Sequence, residues 1–524
     1  MRERMEEAWR TGETDVFVDS AGWLLRHEAL GGFSARRLAD KLIELGRHAD
    51  AVAIHQRYPK AEKSQYWRSL AAALAGTEQL AQAREALARA EQLDGAASQP
   101  DGGFAEALRR ACAQGSESEQ VAPWPQAASL VEAYVVLGLP DRASEALRGA
   151  LDSPSLLSEE QTLEALRLAQ DVLRLADPRS AADLMESILA RFGERSANEA
   201  AVRPGVQLCQ ALALARAGRN EQAVSLLAPL SRHFKDSEVT GAEDARLELA
   251  RTVGRLVLDE VKPRLGPGGQ RKIIDMFPMN DELLMLRIKL EEMSDWVDHF
   301  VIVESVFTFR GQPKPLHFEQ YKAEFSRFSD KIVHVVVDAL PPWASTPWAR
   351  EFYQRDCGLR ALARLCGPDD LVLVTDVDEI VRRAAVEAFN GPFAGLAMPC
   401  YSYFFNLERI EARQSLWATA LRARYLQRIG ASYAKIGLPQ YAKQISMDDA
   451  GWHFSGVRDV DGLLSKFRSY SNDQWSQVPR SQLVEVVSQI HTDGGLPGFV
   501  RREIDDSFPA YIREHTEDLG GLIF

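Results

Sequence analysis

The chain has 524 residues, 46% hydrophobic and 26% charged, an ordinary globular composition too long for one hydrophobic core, so at least two domains are expected. Lys plus Arg number 62 against 75 Asp plus Glu, and the resulting net charge of -13 excludes attraction of nucleic acid or an anionic membrane by overall charge, leaving only local basic sites. Five scattered cysteines (Cys112, Cys209, Cys357, Cys366, Cys400) without a CxxC spacing exclude a disulfide framework and a zinc knuckle.

The opening Met1-Arg-Glu-Arg-Met-Glu-Glu lacks the apolar core of a signal peptide, and no stretch approaches the roughly 20 apolar residues that span a bilayer. With the cysteine usage, this predicts a soluble protein of a reducing, cytoplasmic compartment. Of 44 aromatic residues, 12 lie in residues 1–265 and 32 in the rest, which predicts two different kinds of domain.

The first part is rich in Ala, Leu, Arg and Glu with apolar residues at helical spacing, as in the stretch 80–93. Leu45-Gly-Arg-His-Ala-Asp-Ala-Val, Ala75-Gly-Thr-Glu-Gln-Leu-Ala-Gln-Ala, Leu137-Gly-Leu-Pro-Asp-Arg-Ala-Ser-Glu-Ala-Leu and Ala217-Gly-Arg-Asn-Glu-Gln-Ala-Val-Ser-Leu-Leu each read as a helix end, a Gly turn and a second helix. The glycines Gly46, Gly76, Gly138 and Gly218 are 30, 62 and 80 residues apart, consistent with one, two and two units of about 30 to 40 residues. The pattern resembles tetratricopeptide repeats with an incomplete signature, and a generic helical-hairpin solenoid or a plain bundle fits the same spacing. Such solenoids offer a concave surface for a peptide, a protein or the next domain, and no residue here suggests chemistry. Pro and Gly gather in 262–270, giving a helical repeat domain at 1–261, a linker at 262–270 and a second domain at 271–524 with its core at 273–475.

After the linker, strand and helix patterns alternate: a strand at 272–277, a helix at 281–293, a wholly apolar strand at 299–304 ending in an acid, a helix at 318–328, a strand at 331–337, a helix at 348–365 and a strand at 371–375. Apolar strands separated by helices predict a parallel α/β sheet covered on both faces, with ligands beyond the carboxyl ends of its strands.

Three clusters carry the candidate chemistry. Asp376-Val-Asp-Glu-Ile380 follows a strand directly, and aspartates two apart can converge on one hard cation, Mg²⁺ or Mn²⁺, that also bridges phosphates. Short acidic clusters also serve as loop caps. His453, in Gly451-Trp-His-Phe-Ser455, could complete that coordination or be a satisfied core histidine. In Trp348-Ala-Arg-Glu-Phe-Tyr-Gln-Arg355, Arg350, Glu351, Gln354 and Arg355 share one broad helical face suited to diphosphate or ribose oxygens, while Glu351 and Arg355 also read as a surface salt bridge.

Together with Ile274-Asp-Met-Phe277, Val297-Asp-His-Phe-Val-Ile-Val-Glu-Ser305, Thr308-Phe-Arg-Gly311, Lys314-Pro-Leu316 and Lys466, these stretches resemble, in order, glycosyltransferase family 17, the β-1,4-mannosyl-glycoprotein β-1,4-N-acetylglucosaminyltransferase-like family. The resemblance implies a GT-A type (Rossmann-like) fold, a nucleotide-sugar donor such as UDP-N-acetylglucosamine, and Mn²⁺ or Mg²⁺ at the DxD. It implies Asp376 and Asp378 toward metal and diphosphate, with Glu379 beside them, His453 near the metal, Glu304 near base or ribose, and Lys466 neutralising phosphate; Arg350, Glu351, Gln354 and Arg355 join the donor site. The chain departs from the pattern at Leu284, where the family often has aspartate, and at Ser471-Asn472-Asp473, where it tends to have histidine.

For the acceptor side the sequence offers Glu408, Glu411 and Asp459 as general bases without choosing among them, and Tyr401-Ser-Tyr-Phe-Phe-Asn406 as a sugar platform or as core. The leading expectation is a metal-dependent, inverting glycosyltransferase whose repeats dock a protein acceptor or partner. The alternatives are a repeat scaffold with an inactive transferase domain, and a glycan-directed enzyme whose repeats only oligomerise.

Overall fold

The computed structural model describes residues 38–40, 42–43, 48–57, 59, 64–94, 106–108, 110–111, 124–153, 156–231, 242–262, 265–266, 271–389, 391, 393–412, 415–437, 446–472 and 476–524. The opening heptapeptide, Gly46, Cys112, most of the linker, Asp473 and Trp475 lie outside the described residues. Two compact units are present, residues 1–219 with 239–241, and residues 220–238 with 242–524.

The first unit is helical among its described residues: His48–Arg57, Ser64–Gly76, Leu80–Asp94, Trp124–Val136, Pro140–Leu151, Glu159–Leu175, Pro178–Asn198 and Arg203–Arg216. The small residues of the pattern are the buried ones, with Ala71, Ala73, Ala75, Ala83 and Ala90 fully inaccessible, because helices without bulky side chains at the contact approach closely. Gly138 and Gly218 take left-handed φ of 69° and 73°, ending helices where a Cβ is unfavourable. Gly76 is instead the last residue of its helix, and a Cβ there would fall 2.2 Å from the His48 ring. Helix Glu159–Leu175 opens on a capping box between Ser158 and Gln161.

The second unit begins with two helices, α1 (Asn220–Leu230) and α2 (Ala242–Val261), and continues into the α/β body. Its strands are β1 (Ile273–Met279), β2 (His299–Ser305), β3 (Ile332–Val337), β4 (Leu371–Val374), β5 (Glu379–Val381), β6 (Phe393–Ala397), β7 (Cys400–Ser402), β8 (Leu407–Arg409), β9 (Leu416–Arg422), β10 (Ser446–Met447), β11 (Gly451–Ser455) and β12 (Phe499–Arg501). The larger sheet has the order β10-β6-β9-β4-β1-β2-β3 and the smaller β12-β8-β7-β11-β5. Strands β3, β2, β1 and β4 are mutually parallel, but β9 runs antiparallel to both β4 and β6, so the sheet is mixed and not parallel throughout as its apolar strands predicted.

The predicted helix at 281–293 forms as α3 (Leu283–Met293). The helix expected at 348–365 is two, α4 (Pro347–Cys357) and Leu359–Leu365, divided at Gly358. A Cβ on Gly358 would meet Met276 Sδ at 2.4 Å and Val303 Cγ2 at 3.0 Å, so α4 lies directly on β1 and β2 through this glycine. The span 318–328 is a short helix, His317–Tyr321, followed by a 3₁₀ segment, Lys322–Phe328. The described cysteines Cys209, Cys357, Cys366 and Cys400 are all buried thiols. Among the described residues no helix is long and apolar enough to cross a membrane.

Candidate active site

Strand β4 is central and wholly buried, and Asp376 and Asp378 follow its carboxyl end. The turn then enters β5 at Glu379, whose antiparallel partner on β11 is His453, and the Phe454 N–H donates to the Asp378 carbonyl at 2.8 Å. Pairing of β5 with β11 therefore brings together motifs 75 residues apart in sequence. They line a cavity of about 1210 Å³ with Glu351, Gln354, Arg355, Glu379, Lys435 and Lys466.

The carboxylates are matched by cations. Asp376 Oδ1 lies 2.8 Å from Arg355 Nη1, and its Oδ2 lies 3.3 Å from Lys435 Nζ. Asp378 Oδ2 lies 2.9 Å from Lys466 Nζ, and its Oδ1 lies 3.6 Å from His453 Nε2. Burial alone would raise both acids, but Arg355 and Lys435 hold Asp376, and Lys466 and His453 hold Asp378, below the usual carboxylate range. Burial works against Lys466 too, and Asp378 overcomes it to raise the ammonium above its ordinary value. Glu379 is almost inaccessible, accepts from the Asp376 N–H at 2.8 Å and pairs with Lys435; burial pushes its carboxyl up to about 8.

Helix α4 is capped by Thr346 with Pro347 in its first turn, and it is buried along nearly its whole length. Arg355 Nη2 lies 3.2 Å from Glu351 Oε1, so the pair readable as a surface salt bridge is an interior one, with the Ser471 hydroxyl donating to the other Glu351 oxygen. Gln354 donates to the Val303 carbonyl at 2.8 Å. Arg350 is not on the described cavity wall: its guanidinium donates to the carbonyls of Phe309 at 3.1 Å and Ser345 at 2.9 Å. It therefore clamps the loop after β2, where Gly311 has φ 81° and leaves room for it.

Glu304 likewise stands behind the described wall. Fully buried at the end of β2, it accepts from the Phe318 N–H at 3.1 Å and faces His334 Nε2 at 3.0 Å and Lys314 Nζ at 3.5 Å. Lys314 is the member of this group that reaches the cavity. Among the three acceptor-side carboxylates, Glu408 is buried against Arg502 and Asp459 caps helix α6 (Val460–Ser469) by accepting from the Gly462 N–H at 2.7 Å. Glu411 lines the cavity, paired with Arg409 at 2.7 Å. In the aromatic run, Tyr401, Phe404 and Phe405 are core, while Tyr403, with a left-handed φ of 68°, turns onto the wall.

Sequence reasoning missed the lysines beneath and beside the acids. Lys435 lies on α5 (Ala431–Ile436), whose first turn is held by the Asp356 carboxylate accepting from the N–H groups of Ala431 at 2.5 Å and Ser432 at 3.2 Å. Lys289 of α3 is fully buried and donates to the Thr375 hydroxyl at 3.0 Å and to the carbonyls of Asp376 at 3.1 Å and Glu379 at 2.5 Å. It sits at the spacing Leu286, Lys289, Leu290, Met293, on the apolar stripe of its helix, and a lysine on such a stripe is the signal that was available.

A metal fits only part of this arrangement. Among the described residues no group of three His, Cys, Asp or Glu side chains is arranged to hold an ion, and the oxygens of Asp376 and Asp378 face basic side chains. Two carboxylates at a strand end do match the way Mg²⁺ is held, through one or two protein oxygens with substrate phosphates completing the shell.

Residues 262–491 match the model of glycosyltransferase family 17. The chain is 27% identical over 269 residues to the beta-1,4-mannosyl-glycoprotein 4-beta-N-acetylglucosaminyltransferase of Rattus norvegicus, covering 44% of this chain and 49% of that protein. The protein of the same name from Homo sapiens is 28% identical over 239 residues, covering 38% of this chain and 44% of its own length. The chain thus spans about half the length of the curated relatives it matches.

Proposed function

We propose that this chain is a glycosyltransferase that moves a sugar from a nucleotide diphosphate donor to a hydroxyl acceptor in the cavity around Asp376 and Asp378. The carrying observation is the position of these acids: on the wall of a cavity, at the carboxyl end of a buried strand of a family 17 domain, within ion-pair distance of Arg355, Lys435 and Lys466. Transfer needs the departing diphosphate stabilised and the acceptor hydroxyl deprotonated. Fixed cations supply the first, since they need no reorganisation as negative charge develops. For the second, Glu411 is the one of the three sequence candidates on the described wall, and it serves as base in an inverting reaction.

The sugar in this reading is N-acetylglucosamine, as the names of the relatives suggest, its carrier is UDP, and the α/β domain is of GT-A type. Asp378, with Asp376, would hold Mg²⁺ or Mn²⁺ together with donor phosphate oxygens, an ion that neutralises diphosphate charge. The helical hairpins act as a tetratricopeptide-like solenoid that docks a protein acceptor or partner in the cytoplasm, raising the local acceptor concentration. A thermal-shift screen of nucleotide sugars on the full chain tests the donor assignment. UDP-N-acetylglucosamine is expected to raise Tm progressively with concentration, because a ligand of the native state stabilises it by mass action. A flat response to every nucleotide sugar at millimolar concentration overturns the reading.

A further inference from the structure

Helix α2 precedes the family 17 segment, which begins at residue 262, yet it forms part of the α/β body. It packs on α4 and α5. The contact is backbone to backbone at Gly254, where a Cβ would lie 3.1 Å from the Ile429 carbonyl oxygen and 3.2 Å from the Gly430 Cα. One turn earlier, Arg251 donates to the Tyr433 hydroxyl at 2.5 Å and lies 4.5 Å from the centroid of that ring. Two glycines in mutual contact and an arginine locked on a tyrosine fix the rotation and height of α2 on the domain.

That placement delivers Arg246 to the wall of the same cavity. Its guanidinium carbon stands 4.7 Å above the centre of the Trp348 ring, and Trp348 in turn meets Tyr470 edge-on at 6.5 Å. Contact with a ring engages the face of a guanidinium, and its in-plane N–H fork is the part whose geometry matches phosphate oxygens. Burial works against the charge of Arg246, Glu351 and Glu243 favour it, and Arg355 opposes it. A phosphate beside Arg246 would offset the burial of its guanidinium and the opposing charge of Arg355.

We infer that α2 belongs to the ligand-binding unit of the transferase and that Arg246 binds the diphosphate of a nucleoside diphosphate in the cavity. This rests on the donor reading above, and adds to it a binding residue outside the family segment. The test is calorimetric titration of the full chain with UDP and with UMP, on the wild type and on Arg246→Ala, Arg246→Lys and Arg251→Ala. Arg246→Ala is expected to weaken UDP binding by on the order of 10-fold and UMP binding less, so that the UDP-to-UMP affinity ratio falls. Arg246→Lys, which keeps the charge without the fork or the stack, should fall between. Arg251→Ala, which loosens α2 without removing a cavity residue, should lower Tm and lower the ratio less than Arg246→Ala does. Wild-type binding of UDP with an unaltered ratio in both Arg246 variants overturns this inference alone. Absence of UDP binding by the wild type overturns the donor reading as well.

Discussion

Lys289 Nζ lies 3.0 Å from Asp275 Oδ2, both side chains are fully buried, and the same ammonium holds the carbonyls of Asp376 and Glu379. The turn that presents the paired acids therefore hangs on one interior cation. Asp275 also accepts from the Thr375 hydroxyl at 2.7 Å, which ties β1 to the end of β4.

Breaking this pair on one side leaves a buried charge without its partner. Lys289→Met is expected to destabilise the domain by about 3–5 kcal/mol, and the double variant Lys289→Met, Asp275→Asn should recover much of that loss. Urea unfolding of these two variants and of Asp275→Asn alone gives the coupling, and simple additivity would contradict the role assigned to the pair.

Burial pushes the Asp356 carboxyl up to about 6, against the opposing effect of Ser432 and Ala431, which hydrogen-bond the charged form. A folded-state pKa above the unfolded value means that the native state binds the proton more tightly. This stability contribution is complete below the ordinary aspartate value of 3.8 and is lost as pH rises through about 6, at most about 3 kcal/mol. Asp356→Asn keeps an acceptor for the two N–H groups at the start of α5 without the charge. Its Tm relative to wild type should therefore improve as pH rises from 4 to 7, and a constant difference would refute the assignment.

Gly451 opens β11 opposite Val381, and a Cβ there would lie 2.0 Å from the Ile380 carbonyl oxygen. That neighbour is backbone in the paired strand and cannot move aside alone. Gly451→Ala should cost about 3 kcal/mol or more and separate His453 from Glu379. Denaturant midpoints check the stability, and an unchanged midpoint would show that the β5–β11 contact is looser than described.

Removal of divalent cation tests the role proposed for the acids. Mn²⁺ is expected to tighten UDP binding to the wild type and to have little effect on Asp378→Asn, as measured by calorimetry with and without chelator. Equal Mn²⁺ enhancement in wild type and variant would remove Asp378 from the proposed metal site.

Much of the α/β domain was legible because its strands are short apolar runs bounded by polar turns, and β1, β2, β3 and β4 form within one or two residues of their predicted limits. Placement of the acids after β4 followed from the same pattern. The antiparallel β9 was not legible, since a buried strand reads apolar whichever way its neighbour runs. Glu304 and Arg350 carried the right chemistry at the right spacing, but their side chains satisfy a loop's N–H and carbonyl groups, a local demand that competes with ligand binding and leaves no mark on spacing. Lys435 and Arg246 escaped notice for a different reason: each lies on an ordinary helix, and tertiary packing alone brings it to the cavity.

The central claim is that the cavity holding Asp376 and Asp378 is where a nucleotide sugar reacts, and release of UDP from UDP-N-acetylglucosamine by the full chain tests it most directly. Steady release is expected from the wild type, with a fall on the order of 10²- to 10³-fold in the double variant Asp376→Ala, Asp378→Ala, still folded by circular dichroism. Release by that variant at the wild-type rate would contradict it.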